Sequence, residues 1–146
     1  MKQRFIDDYL LYLLARASTL VSGQFHTRLK PHGIDVAEWR ILTTLSDGDG
    51  LTVGQLAEIV LFQQPTLTKI ADRMEALGLV ERQRDSKDRR IVRVFIKPAG
   101  REKVAGLMDD ARRHEAEVLS DYTAAESAAL KDMLRTLIDR QVPPRS

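Results

Sequence analysis

The sequence contains no cysteine. That absence removes disulfides, thiolate metal sites, cysteine nucleophiles and thiol-based redox sensing together, and it fits a chain expected in the reducing cytoplasm. No apolar run approaches the roughly 18 to 20 residues that cross a membrane. The opening MKQRFIDDYLLYLLARAS has a basic start and an apolar patch, but Asp7 and Asp8 interrupt it and no small-residue cleavage site follows. It is therefore not expected to act as a secretory signal. Catalytic patterns are missing too. The three histidines, at 26, 32 and 114, lack metal-ligand spacing, and His114-Glu115-Ala116-Glu117 lacks the second histidine of H-E-x-x-H. Asp109 and Asp110 are adjacent, so they face different sides of a helix and make a poor acid–base pair. There is no G-x-S-x-G and no glycine-rich phosphate loop. Neither an enzyme nor a metal or cofactor site is expected.

What is present is ordinary in bulk and uneven in detail. A chain of 146 residues, 43% hydrophobic and 30% charged, suits one globular domain or one domain with an appended oligomerisation element. The net charge of +2 conceals an asymmetry. Residues 81–101 hold eight Lys or Arg against three acids, a local +5 that leaves −3 for the rest of the chain. A basic patch on a slightly acidic body is the electrostatic footprint of a polyanion binder.

Hydrophobic periodicity orders the chain. Ile6, Leu10, Leu13, Ala17, Leu20, Val21, Phe25 and Leu29 recur at three- and four-residue steps and predict one long helix over 5–30, broken at Pro31 and Gly33. Asp35 and Glu38 predict a capping box opening a second helix, which stops at SDGDG. Thr52 and Gln55 repeat that signal for a short helix, VGQLAEIV. After LFQQ, Pro65 is expected to open another helix, PTLTKIADRMEAL, burying Leu67, Ile70, Met74 and Leu77, with Gly78 as its C-terminal cap. Leu79 to Arg84 and Ile91 to Lys97 read as two strands. In the second, Val92, Val94 and Ile96 share one side while Arg93 and Lys97 are expected to face outward. DSKDRR, polar and without glycine, connects them. A long helix follows Pro98 and Gly100 to about Asp121, carrying Val104, Leu107, Met108, Ala111, Val118 and Leu119 on one stripe. Thr123 and Glu126 box a last helix with Leu130, Met133, Leu134, Leu137 and Ile138, and the tail QVPPRS is expected to fray.

A short helix, a tight break and a second helix form a helix-turn-helix, and the charged hairpin directly after makes it winged. The fold is thus expected to be mainly α with a small β-hairpin. The first turn of a recognition helix presents side chains to base edges in the major groove. Here Gln63, Gln64, Pro65, Thr66 and Thr68, followed by Lys69 and Arg73, are the candidates. Gln reads adenine, Thr reads several base edges, and Lys or Arg reads guanine or holds phosphate. In the wing, Arg84, Lys87, Asp88, Arg89 and Arg90 are the candidates. A narrow minor groove attracts Arg. Asp88, two residues before Arg90 on an extended chain, is placed to orient that guanidinium.

From Leu51 to Val104 the sequence resembles the DNA-binding half of MarR-family transcriptional regulators. Leu51-Thr52 and Leu56-Ala57 match the family's LT-x-x-x-LA helix, Met74 to Arg82 its LEx-x-GLV-x-R stretch, and Asp88-Arg89-Arg90 its D-x-R wing. At Lys97-Pro98-Ala99-Gly100 the chain departs from the family's LT-x-x-G exit, with Pro replacing the Thr cap. The flanking helices fit as well. The resemblance implies a homodimer: residues 1–34 and 99–146 form a helical dimerisation region, and residues 35–98 a winged lobe facing double-stranded DNA at a palindromic operator. The long apolar stripes on 5–30 and 102–140 support this independently, because exposed stripes of that size mark an interface. Repression is the family's usual mode. The resemblance also implies release from DNA by a small effector, an aromatic acid or its acyl-thioester, in a crevice involving Arg16, Ser22, His26, Trp39 and Arg113. The rival expectation is a winged helix serving protein–protein contacts alone, a module that would not need the +5 patch or the Asp88–Arg90 pair.

Overall fold

The computed structural model describes residues 2–143. They divide into two compact units, one running to Ala111 and the other beginning at Arg112.

The first unit opens with a short 3-10 turn, Phe5–Asp8, before helix α1, Leu10–Leu29. The single helix expected over 5–30 is therefore interrupted. Tyr9 is extended (φ −83°, ψ 119°), Arg4 and Asp7 pair across the turn at 2.9 Å, and the Phe5 and Tyr9 rings stack at 5.2 Å. A second 3-10 turn, Lys30–His32, ends at Gly33 in the left-handed region (φ 69°). Helix α2 spans Val36–Asp47, with the Asp35 carboxylate accepting from the Glu38 N–H. Only half of the expected box forms, because the Glu38 carboxylate reaches Arg73 instead.

Helix α3, Val53–Val60, has its full Thr52–Gln55 capping box. Helix α4, Gln64–Ala76, places Pro65 at its second position. Its end is a Schellman motif, in which the Gly78 N–H bonds to Glu75 O and the Leu79 N–H to Met74 O, with Gly78 at φ 75°. The predicted hairpin is present as β2, Val80–Arg84, and β3, Val92–Ile96. An unpredicted two-residue strand, β1 (Leu51–Thr52), pairs with the other side of β3 to give the order β1-β3-β2, all antiparallel. Two residues after an Asp-Gly turn carry no readable alternation, so β1 leaves no periodic signal.

The core gathers Leu42, Leu45, Leu56, Val60, Leu67, Met74, Val80 and Val94, with Phe25 and Leu29 from α1 and Val104 and Leu107 from α5, Pro98–Val118. Leu77, expected inside, is exposed, because it caps α4 just beyond Ala76 and the last buried side chain of the helix is Met74. Gly100 is forced. A Cβ there would lie 2.4 Å from the Leu79 carbonyl oxygen, where β2 begins beneath the start of α5.

In the second unit α5 ends at Val118, three residues before the expected stop, and a turn leads to Thr123. Thr123 and Glu126 box helix α6, Ala124–Gln141. Of the tail expected to fray, Gln141 is still helical and residues 144–146 lie outside the described residues.

Candidate nucleic-acid interface

Helix α4 is held by Leu67, Ala71 and Met74, all buried, which turns the opposite face outward. Gln63, Gln64, Pro65, Thr66, Thr68, Lys69 and Arg73 are all exposed on that face or at its start. The tight turn before it passes through Leu61, a non-glycine residue in the left-handed region (φ 67°). The Thr68 hydroxyl donates to Gln64 O at 3.0 Å. The Gln64 side-chain amide lies over Gly54, where a Cβ would come within 2.8 Å of Nε2. Between the start of α3, the first turns of α4 and the sheet lies an open groove of roughly 470 Å³, whose walls include Thr52, Gln64, Thr68, Arg82 and Arg90. Gln64 and Thr68 of the helix candidates and Arg90 of the wing candidates thus share one groove.

Arg73, an expected DNA contact, also has partners within the protein. Its guanidinium donates to Glu38 Oε1 at 2.7 Å and to Asp35 Oδ2 at 3.0 Å, tying α4 to the start of α2. Glu38 is only 5% exposed, and its Oε2 has no partner among the described residues. Desolvation, then the neighbouring Asp35 charge, raises the Glu38 carboxyl above its usual range, and Arg73 only partly offsets them. Arg82 makes a comparable tie between β2 and α4, pairing with Asp72 and with Glu75 Oε2 at 2.8 Å.

The wing loop, residues 85–91, is densely bonded. Asp85 Oδ2 accepts from the backbone N–H groups of Lys87 (3.2 Å) and Asp88 (3.0 Å). The Asp85 N–H donates to Ile91 O, the Ile91 N–H to Asp88 O, and Arg84 Nη1 to Arg89 O. The Asp88–Arg90 pair is formed and bidentate. Nε donates to Oδ1 and Nη2 to Oδ2, both at 3.0 Å, while the Arg90 side chain stays 91% exposed. The Arg90 hydrogen bonds, then its backbone N–H, hold the Asp88 carboxyl below its ordinary range. Lys87 and Arg89 are exposed at the tip.

Arg93 corrects another expectation. It does not simply face outward like exposed Lys97. Its Nε donates to Asp85 Oδ1 at 3.0 Å and its Nη1 to Gly50 O at 3.1 Å. Asp85 was missed as a functional candidate, yet its place two and three residues before Lys87 and Asp88 is the spacing of an Asx turn, the one local signal available.

The effector candidates are dispersed by role. Trp39 is half-buried and packs edge-on against Phe25, with ring centroids 5.2 Å apart, at the margin of the core. Arg16 donates to the Tyr12 hydroxyl at 3.2 Å on the exposed part of α1, where Ser22 is half-buried and His26 exposed. Arg113 is exposed in the second unit.

The sequence profile of the MarR family matches residues 32–91, a span that contains the helix-turn-helix and the wing loop. A MarR family transcriptional regulator from Silicibacter pomeroyi DSS-3 has a crystal structure that is 39% identical in sequence, with a TM-score of 0.85, covering 96% of this chain and 100% of that one. The chain belongs to the MarR family. It is a DNA-binding transcriptional regulator and not an enzyme. Two further MarR-like folds are similar to this one. The transcriptional repressor CouR, bound to a 23-mer DNA duplex, is 26% identical with a TM-score of 0.84 over 94% of this chain and 98% of its own. NadR, in complex with 4-hydroxyphenylacetate, is 25% identical with a TM-score of 0.81 over 94% and 97%.

Proposed function

We propose that this MarR-family regulator is a cytoplasmic homodimeric repressor that binds a palindromic operator and releases it when a small aromatic acid, or its acyl-thioester, binds. The carrying observation is the shared groove, where the exposed first turn of α4 adjoins a wing whose Arg90 is held in one orientation by Asp88. Gln63, Gln64, Pro65, Thr66, Thr68 and Lys69 enter the major groove. Arg90 enters the adjacent minor groove, with Arg84, Lys87 and Arg89 near phosphates. Arg73 is left out of this set, because its Nη2 is tied to two carboxylates of the lobe itself.

Residues 1–34 and 99–146 are assigned to dimerisation and residues 35–98 to the DNA-binding lobe. Within the first unit Leu10, Leu13 and Leu20 are exposed along α1, and within the second Leu130, Met133 and Ile138 are exposed along α6. Apolar rows of this kind are costly in water and are covered in a dimer. The two-fold axis then sets half-sites about one helical turn, near 10 bp, apart. Trp39, Ser22, His26 and Arg16, all of the first unit, remain the proposed effector contacts, supported by the 4-hydroxyphenylacetate bound to NadR.

Footprinting on the DNA flanking the protein's own coding region tests this. The expected result is a protected segment with two symmetric halves, lost on adding an effector found by melting-temperature screening of aromatic acids and acyl-thioesters. Uniform protection of all DNA, or none, would contradict it.

A further inference from the structure

We propose that Arg93 and Asp85 form a positioning device for DNA binding, a brace that keeps the wing tip ordered so that Arg90 is presented already aimed. This deepens the wing reading above and rests on Arg90 being a DNA contact.

The bonds form a continuous chain. Arg93 is anchored on β3, opposite Thr52 of β1 and Gln83 of β2. Its Nη1 holds the Gly50 carbonyl at 3.1 Å and its Nε holds Asp85 Oδ1 at 3.0 Å. The other oxygen of the same carboxylate takes the N–H groups of Lys87 and Asp88 at the loop tip. Asp88 in turn clamps both nitrogen edges of Arg90. One guanidinium therefore links the turn before α3 to the tip of the wing through a single acid. Asp85 is 20% exposed at its side chain, and its carboxyl is held below the ordinary range chiefly by Arg93. A polar loop without glycine has no apolar contact of its own to order it, so its bonds set its conformation. Order present before binding is order that binding need not create.

The full-length chain is measured on duplex from its own flanking DNA, comparing wild type, Arg93→Met, Asp85→Asn, Arg90→Ala and the Arg93→Met/Arg90→Ala double variant. Arg93→Met is expected to weaken binding roughly threefold to tenfold by loss of preorganisation, with little change in Tm. The slope of affinity against salt should stay at the wild-type value, because Arg93 neutralises no phosphate. Amide exchange at Lys87 and Asp88 should accelerate. Asp85→Asn, which leaves β3 untouched, should behave alike. The Arg93→Met loss should largely disappear when Arg90 is already Ala, since an aimed side chain is then absent. Unchanged affinity in both single variants overturns the proposal. So does a loss that persists in full without Arg90, or a salt slope smaller by about one, which marks a direct phosphate contact. If Arg90→Ala weakens binding while Arg93→Met does not, the brace alone fails. If Arg90→Ala binds as wild type, the wing reading itself fails and the brace with it.

Discussion

The two halves of the proposed DNA-binding surface are built differently. On α4, Gln63, Thr66 and Lys69 are exposed and take no side-chain partner among the described residues. In the wing most charges outside the exposed Lys87 and Arg89 are engaged: Arg84 with a backbone carbonyl, Asp85 with Arg93, Asp88 with Arg90. Two arginines sharpen the contrast. Arg73, on the helix, is tied down by the buried Glu38, whereas Arg90, on the wing, is oriented by a carboxylate yet 91% exposed. The difference teaches that pairing does not by itself separate structure from function. What differs is the partner: Arg73, 52% exposed, pairs with a buried carboxylate on another helix, whereas Arg90 pairs with a neighbour in its own loop.

The largest expected effect comes from the wing. Arg90→Ala should weaken operator binding about tenfold to a hundredfold and leave the melting temperature intact, as read by fluorescence anisotropy and thermal unfolding. Arg73→Ala should do the reverse. It leaves a buried carboxylate uncompensated and should cost about 1–2 kcal/mol of unfolding free energy, with operator affinity at low temperature changing less than for Arg90→Ala. Equal effects of the two variants on binding would erase the distinction. Lys69→Ala, on the unpartnered helix face, should weaken operator binding roughly threefold to tenfold and relax discrimination at the base pair it reads.

The smallest effect is in pH dependence, and its sign differs between the halves. Glu38 is raised above 4.5, so the folded chain holds that proton more tightly than the unfolded one. Its contribution to stability is therefore lost as pH rises through the folded value, and wild type should lose stability relative to Glu38→Gln across that window. Asp85 and Asp88 are lowered from 3.8, so their contribution is present above that value and lost as pH falls through their folded values. Chemical denaturation from acid to neutral pH checks both. A wild-type curve that gains on Glu38→Gln as pH rises contradicts the burial account of Glu38.

Much of the short-range chemistry was legible in the sequence. The Thr52–Gln55 and Thr123–Glu126 boxes, the Gly78 end of α4 and the Val94–Ile96 face of β3 all form as their spacing requires. The Asp88–Arg90 pair, two residues apart, was legible for the same reason. What stayed hidden joins distant segments. Arg73 meets Glu38 across 35 positions and Arg93 meets Gly50 across 43, and no periodicity records either. Helix breaks set by single residues were also hidden. Tyr9 leaves α1 because of a local ion pair and ring stack, although the apolar steps run through it unbroken. The apolar rows on α1 and α6 were legible as stripes.

The most direct test of the central claim is a salt titration of binding to the chain's own flanking DNA against a shuffled duplex of the same composition. A wing and helix that contact phosphate together predict specific binding whose log affinity falls linearly with log salt, at about −0.9 per phosphate neutralised. Binding that ignores salt, or that favours the flanking DNA no more than the shuffled duplex, contradicts the account.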